Sequence, residues 1–452
     1  MGLSLLSLAK WVRIPGFAVV IFAALIGISP AQPNAISLIR DAEVEFIIRQ
    51  YARPIFAAAG LDQEALNIHL VADPSLNAFV LGGQRIFINT GLLQRAEHPG
   101  QVMGVIAHEA GHVAAGHLSS LNAELRSATA TTILATILGV AAGVVTENAA
   151  IGGAIQAASY NIVGRKVLSF TRGMEAAADQ AAMRYLDRSQ VSSEGIMEFL
   201  AILGNQSNRV VGVDPYLLTH PEPEARIAAV QTHLLLSRYT GRPFSVALQI
   251  QHERMVAKLD GFIMPYDFVM RKYRDGDRRI GARYARAIAT FRRGDLASSL
   301  ELVDGLLAEH PDDPYFHELK GDALFRNGHV AQSIGPFNEA VRLAPEEPLL
   351  RISLAQAQLE TGRQADLIAA RDHLRAAILR ESQSVRAWRH LTIAYGRLGD
   401  QPNLALALAE EGFLTGDQRK AIQRAEDAVD LFPAGSPGQL RAQDLLQRIH
   451  QR

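Results

Sequence analysis

The chain has 452 residues, enough for two or three domains with separate hydrophobic cores. It carries 45 basic and 46 acidic residues, and this balance argues against a nucleic-acid partner. Cysteine is absent, which excludes disulfide bonds, cysteine-based zinc sites, thiol catalysis and a lipid anchor on an N-terminal cysteine. Any metal ion must therefore bind to histidine, aspartate or glutamate.

The first 31 residues have the pattern of a cleaved export signal. Lys10 and Arg13 precede an apolar run, and Ser29 and Ala31 supply the small residues that a signal peptidase requires. The run is shorter than the ~20 residues of a membrane-spanning helix, which favours cleavage after Ala31 over an uncleaved anchor. In both cases we expect the body of the protein outside the cytoplasm, and we predict a periplasmic location.

The next segment predicts a helix followed by a small sheet. Residues 41–59 have a helical pattern, whereas 65–93 are rich in apolar and β-branched residues with Asp-Pro and Gly-Gly breaks. In the stretch "RIFINTG", Ile86 and Ile88 share one face of a strand.

The stretch "VIAHEAGHVAAGH" carries a zinc-peptidase arrangement on a predicted helix. His108 and His112 lie one turn apart on one face, so two imidazoles can hold one Zn²⁺ while Glu109 stands beside the open coordination position. The competing interpretation is an ordinary amphipathic helix. His117 lies off the ligand face, and we interpret it as structural.

Residues 127–146 contain no charged side chain and are rich in alanine, threonine and glycine. Their length would span a bilayer, but their hydrophobicity is low for a transmembrane helix. We therefore expect a helix pair or flap that covers the site and makes peripheral contact with a membrane or with unfolded substrate.

A catalytic zinc ion needs a third protein ligand and leaves its fourth position to water. A histidine ten residues after His108 would indicate a metzincin, and Leu118 stands there. The alanine-rich stretch "SFTRGMEAAADQAA" offers Glu175, with Asp179 one turn later to hydrogen-bond a ligating histidine. Carboxylates on such helices are usually solvated, so spacing alone leaves Glu175 open.

Residues 281–452 have the period of tetratricopeptide repeats. Gly294, Gly328 and Gly362 are spaced by 34 residues, and the fourth unit slips by three at Gly399. Repeats of this kind stack into a solenoid whose groove usually holds a peptide or protein. The alternative is a plain helical scaffold without a ligand.

The motif "HEAGHVAAGH" followed by "TRGMEAAAD" resembles the zinc metallopeptidase family of the CAAX prenyl endopeptidases and heat-shock membrane proteases. The family pattern is H-E-x-G-H and then Ser-Arg-x-x-E-x-x-x-D, and Thr171 stands where that pattern has serine. "LNAFVLGGQRIFINTGLL" is similar to the family's strand pair, and "THPEPEARI" to its His-Pro and Arg element. With an export signal and repeats, the chain most resembles the periplasmic β-barrel assembly-enhancing proteases.

The resemblance implies a metal site with one Zn²⁺ per chain. Its ligands would be His108, His112 and Glu175, with Glu109 as the catalytic base and Asp179 as the outer partner of a ligand.

Three further residues receive roles from the resemblance. His220 either occupies the fourth coordination position as a latch or stabilises the oxyanion together with Arg226, and these roles predict opposite mutant phenotypes. Arg172 would form a structural ion pair near Asp179.

The predicted fold class is mainly α: a gluzincin-type zinc peptidase domain with a small β-sheet, followed by a C-terminal tetratricopeptide-repeat α-solenoid. The predicted boundaries are a signal peptide over 1–31, the peptidase domain over 32–240, a helical connector over 241–280 and the repeats over 281–452.

The expected function is hydrolysis of peptide bonds in misfolded or stalled envelope proteins, in outer-membrane protein quality control. The substrate would lie along Phe87, Ile88 and Asn89 as an added edge strand. The repeats would bind clients or the outer-membrane β-barrel assembly machinery. The alternative is a periplasmic chaperone or adaptor that acts through its repeats and carries a latent zinc site.

Overall fold

The protein is described by a computed structural model over residues 37–63, 67–80, 85–117, 172–207 and 223–451. The predicted signal peptide, the uncharged stretch 127–146 and His220 lie outside these described residues. Residues from Leu38 onward form one compact unit. No helix in the described ranges is both long and apolar enough to span a membrane.

The described chain begins with a short strand and a long buried helix, β1 (Leu38–Ile39) and α1 (Ala42–Ala59). The Asp41 side chain accepts a hydrogen bond from the backbone N–H of Val44 and so caps the start of α1. Gly60, at φ 70°, ends the helix in the left-handed conformation. The predicted helix over 41–59 is confirmed.

A four-stranded sheet follows, as the sequence predicted. Its strands are β2 (Asn67–Val71), β3 (Ala78–Val80) and β4 (Arg85–Asn89), and its order is β1-β2-β4-β3. Strand β4 pairs in parallel with β2 and antiparallel with β3, so β4 is an interior strand. Ile86 and Ile88 are buried in the core, in agreement with their predicted shared face.

Five helices complete the N-terminal half around this sheet: α2 (Thr90–Arg95), α3 (Pro99–Ala114), α4 (172–188), α5 (Glu194–Ser207) and α6 (Pro223–Leu234). Helix α3, which carries the histidine motif, packs against α1 on one side and α5 on the other, and α6 packs on α5.

The C-terminal half is helical throughout its described residues. Its elements are α7 (Val246–Ile263), α8 (Tyr266–Lys272), α9 (Ile280–Arg292), α10 (Leu296–Glu309), α11 (Pro314–Arg326), α12 (Val330–Leu343), α13 (Pro348–Thr361), α14 (Gln364–Arg380), α15 (Val385–Leu398), α16 (Gln401–Thr415), α17 (Gln418–Leu431) and α18 (Pro437–His450). Each helix from α9 onward packs on the next one, as expected for stacked helical repeats.

The repeat glycines occupy the turns between paired helices. Gly294, Gly328, Gly362 and Gly399 have φ values of 88°, 84°, 66° and 74°, a region that favours residues without a Cβ atom. This conformational requirement recurs in each helix pair, and it explains the 34-residue glycine spacing. The predicted fold class is confirmed.

Helix α7 is shared between the two halves. Its residues Met255 and Leu259 belong to the core of the N-terminal half, whereas Ala257 packs with residues of α9. The boundaries of a separate connector remain a prediction.

Candidate metal centre

Helices α3 and α4 meet at backbone distance next to the histidine motif. A Cβ atom added to Gly111 on α3 would lie 2.9 Å from the carbonyl oxygen of Ala178 on α4. Such close contact is possible because Gly111 has no side chain and Ala178 has only a methyl group. The contact brings Glu175 and Asp179 of α4 to the face of α3 that carries His108.

Ligand atoms of three side chains converge between these helices. His108 Nε2 lies 3.1 Å from His112 Nε2 and 3.3 Å from Glu175 Oε2, and His112 Nε2 lies 3.1 Å from Glu175 Oε1. A tetrahedral Zn²⁺ with bonds of about 2.0–2.1 Å needs ligand atoms about 3.3 Å apart. Two imidazoles and one carboxylate at this separation fit a zinc ion with an open fourth position.

Asp179 contacts the second ring nitrogen of His108. The distance from His108 Nδ1 to Asp179 Oδ1 is 2.8 Å, and both side chains are buried. The carboxylate accepts a hydrogen bond from the Nδ1–H of His108. The lone pair of Nε2 is therefore left for a metal ion. Asp179 therefore occupies the outer position that the resemblance implied.

The buried charges shift the pKa of His108. Burial and Arg226 lower this pKa, but Glu175 and Asp179 raise it by more, and the resulting pKa is about 9. A metal ion must displace the second proton of His108, so metal binding releases a proton.

Arg226, on α6, holds the two carboxylates in place. Its Nε and Nη2 atoms lie 2.7 and 2.9 Å from the two oxygens of Asp179, and its Nη1 lies 3.1 Å from Glu175 Oε2. Burial raises the pKa of Asp179, whereas His108 and Arg226 lower it to well below its usual range. Arg226 therefore contacts Asp179 directly. Arg172 is exposed on α4, and its ion pair near Asp179 remains a prediction.

These contacts bear on the predicted catalytic residues. Arg226 is predicted to stabilise an oxyanion; its guanidinium contacts Asp179 and Glu175, and its part in catalysis remains a prediction. Glu109 is buried on α3, directly after His108. The structure does not describe His220.

The predicted substrate strand requires a correction. Ile88 and Asn89 are buried, and β4 already has a partner strand on each side, so no further strand can pair with it. Asn89 Nδ2 instead donates a hydrogen bond to Ser75 Oγ at 2.8 Å, and the Phe87 ring stacks on Phe79 of β3. Strand β3 is the sheet edge beside β4.

Sequence reasoning missed one contact at the site. His117 is predicted to lie off the ligand face, and its Nδ1 lies 2.9 Å from His112 Nδ1. The five-residue spacing does not put these rings on one face of a straight helix. The signal in the sequence is Gly116, which allows the chain to turn after α3.

Comparison with known proteins agrees with this geometry. Residues 39–234 match peptidase family M48, and residues 284–348 match a tetratricopeptide repeat. The N-terminal half is an M48 peptidase domain. All the described ligand candidates lie within this M48 domain.

Two relatives align over most of this protein, and a third aligns over less than half of it. It is 25% identical over 426 residues to a beta-barrel assembly-enhancing protease of Yersinia pestis, covering 92% of this chain and 86% of the relative. It is 23% identical over 420 residues to the protein of that name in Escherichia coli K12, covering 92% and 84%. The mitochondrial metalloendopeptidase OMA1 of Schizosaccharomyces pombe is 22% identical over 187 residues, covering 41% of this chain and 52% of the relative.

The predicted resemblance is therefore confirmed, and the chain is a metallopeptidase with tetratricopeptide repeats.

Proposed function

We propose that this protein is a zinc metalloendopeptidase in which His108, His112 and Glu175 hold one Zn²⁺ and Glu109 is the catalytic base. The observation that carries the proposal is the convergence of three side chains of α3 and α4, within an M48 domain, whose ligand atoms make contacts of 3.1 to 3.3 Å. A purely structural zinc would need a fourth protein ligand and no adjacent base.

The chain's own residues carry the proton transfers of peptide hydrolysis. A zinc ion at this site would polarise the scissile carbonyl and acidify the attacking water. Glu109 takes the proton from that water and passes it to the leaving amine. Asp179 keeps His108 in one tautomer, and Arg226 neutralises part of the charge on Glu175 and Asp179.

The substrate would bind as an extended strand on the edge formed by β3. Among the described residues, Ala78–Val80 pairs with β4 on one side only, so its other side is the edge on which we place backbone hydrogen bonds to a peptide. Such recognition depends weakly on side chains, which suits an enzyme that degrades varied unfolded proteins.

The cellular role follows from the relatives. Two of them bear the name beta-barrel assembly-enhancing protease and align with more than nine-tenths of this chain. We therefore propose that this protein is exported to the periplasm, cleaves misfolded or stalled envelope proteins and contacts the outer-membrane β-barrel assembly machinery through its repeats.

Casein degradation by the zinc-loaded protein tests the enzymatic function. Glu109→Gln should lower the cleavage rate at least about 100-fold, because general-base catalysis contributes that much or more. Glu97→Gln is the matched control, since Glu97 is exposed just before α3 and the same chemical change there should leave the rate unaltered. Zinc content is measured for each protein to equalise loading.

Full activity in Glu109→Gln would contradict the proposed base. If neither zinc-loaded wild type nor the zinc-loaded variants Glu109→Gln and His220→Ala cleaved casein, the chaperone or adaptor alternative would replace the peptidase.

The same assay distinguishes the two roles of His220. If His220 is a latch on the fourth coordination position, His220→Ala increases casein cleavage. If it stabilises the oxyanion, the substitution lowers the rate at equal zinc loading.

A further inference from the structure

His117 lies just beyond the end of α3, after a turn. Helix α3 ends at Ala114, and Gly116 adopts φ 64°, a left-handed conformation that interrupts the helical path of the backbone. This turn brings His117 Nδ1 to 2.9 Å from His112 Nδ1, with the ring centroids 5.0 Å apart and the ring planes at 71°. An edge-on contact of this kind is a hydrogen bond in the plane of the rings.

The direction of this hydrogen bond follows from the chemistry of His112. A histidine that gives the lone pair of Nε2 to a metal ion carries its proton on Nδ1. The Nδ1–H of His112 then donates to His117 Nδ1, which must be an unprotonated acceptor. His117 therefore carries its own proton on Nε2.

We propose that His117 is a positioning residue that holds His112 in the tautomer and ring orientation needed for the metal. This inference rests on the proposed zinc site. The two histidine ligands then have different hydrogen-bond acceptors. His108 donates to the Asp179 carboxylate, and His112 donates to the neutral imidazole of His117.

A neutral hydrogen-bond acceptor at position 117 suits a site that already contains several buried carboxylates. Glu109, Glu175 and Asp179 are already buried at this place, with Arg226 as the cation that contacts two of them. A further carboxylate at position 117 would add another negative charge to the group. An imidazole supplies the acceptor without that charge.

Zinc affinity, measured by competition with a chromophoric chelator on the full chain, tests the role of His117. His117→Phe keeps the ring size and removes the acceptor, and we expect about a 10-fold weaker zinc affinity. His117→Asn restores an acceptor oxygen at the position of Nδ1, so it should recover most of the wild-type affinity. A side chain that only fills space would not produce this order, because phenylalanine matches the ring of histidine better than asparagine does.

His317→Phe is the matched control, because it removes a histidine outside the metal site that could bind zinc weakly. Its Nε2 bonds to the Pro311 carbonyl at 2.8 Å within the repeats, so the substitution should leave site affinity unchanged. Circular dichroism of the zinc-free proteins checks that each variant is folded, and His117→Leu, which also lacks an acceptor, takes the place of His117→Phe in the comparison if the latter does not fold.

Equal zinc affinity in wild type and His117→Phe, or an affinity of His117→Asn as low as that of His117→Phe, overturns the role of His117 and leaves the proposed function intact. If wild type itself bound no stoichiometric zinc, the proposed function would fail and this inference with it.

Discussion

At the scale of single residues, His252 shows how burial links this fold to pH. The ring lies on α7, with Nε2 2.8 Å from the Ala96 carbonyl and Nδ1 3.4 Å from the Tyr51 hydroxyl. Burial lowers the pKa of His252 to about 4. The neutral ring donates Nε2–H to Ala96 and so connects α7 with the end of α2.

We expect the stability that depends on His252 to be lost on acidification. The pKa of His252 in the unfolded chain is about 6.5. Below this pH the unfolded state binds a proton at His252, whereas the folded state does not. The free energy of unfolding should therefore fall by about 2 kcal/mol between pH 7 and pH 5 through this residue. Urea unfolding at both pH values measures the loss.

His252→Gln provides the comparison for this pH effect, because glutamine can donate to Ala96 but does not titrate. Its stability should fall less than that of wild type over the same interval. An equal fall in both proteins would show that His252 does not contribute.

At the scale of elements, the crossing of α3 and α4 sets the geometry of the metal centre. The added Cβ atom of Gly111→Ala would meet the Ala178 backbone at 2.9 to 3.0 Å, so one helix must move. We expect a loss of about 1–3 kcal/mol in stability from this overpacking. Zinc affinity should also fall, because the displacement moves Glu175 away from His108 and His112.

Gly173→Ala is the control for this prediction. Gly173 lies on α4, and a Cβ atom there would meet nothing within 4 Å. We expect its stability to be unchanged or up to about 1 kcal/mol higher, since alanine favours a helix over glycine. Unfolding and zinc titration of both variants make the comparison, and unaltered zinc affinity in Gly111→Ala would contradict the role of this crossing.

At the scale of the whole molecule, two cations of α7 join the peptidase half to the repeats. Lys258 Nζ lies 3.0 Å from Asp41, 3.4 Å from Glu43 and 3.5 Å from Glu318 of α11. Arg254 pairs with both Glu43 and Asp313. Burial lowers the pKa of Lys258, but the carboxylates raise it well above its usual value, so the lysine is charged in the folded protein.

Removal of this charge should weaken the junction. Lys258→Met leaves three carboxylates without their shared cation, and breaking a buried ionic group costs about 3–5 kcal/mol. Lys320→Met removes the partner of Asp304 from a more exposed pair, which is worth at most about 1 kcal/mol. Urea unfolding of the two variants measures the difference, and similar stabilities would argue against the junction.

The sequence by itself determined the features that depend on local spacing. His108 and His112 lie on consecutive turns of one helix with Glu109 beside His108, and a 3.6-residue period suffices to predict that arrangement. The positions of the repeat glycines could also be predicted from the sequence, because each glycine occupies a positive-φ turn at the same point of its helix pair. Glu175 needed the family resemblance, since spacing alone does not distinguish a ligand from a solvated carboxylate.

Only the tertiary structure decided the contacts between distant segments. Arg226 is joined to Asp179 because α6 and α4 pack together, and no periodicity in either helix predicts that pairing. The interior place of β4 depends on which strands flank it, and His117 reaches His112 only through the turn at Gly116. Local patterns determine which face a side chain occupies, whereas its partner depends on how separate elements pack in three dimensions.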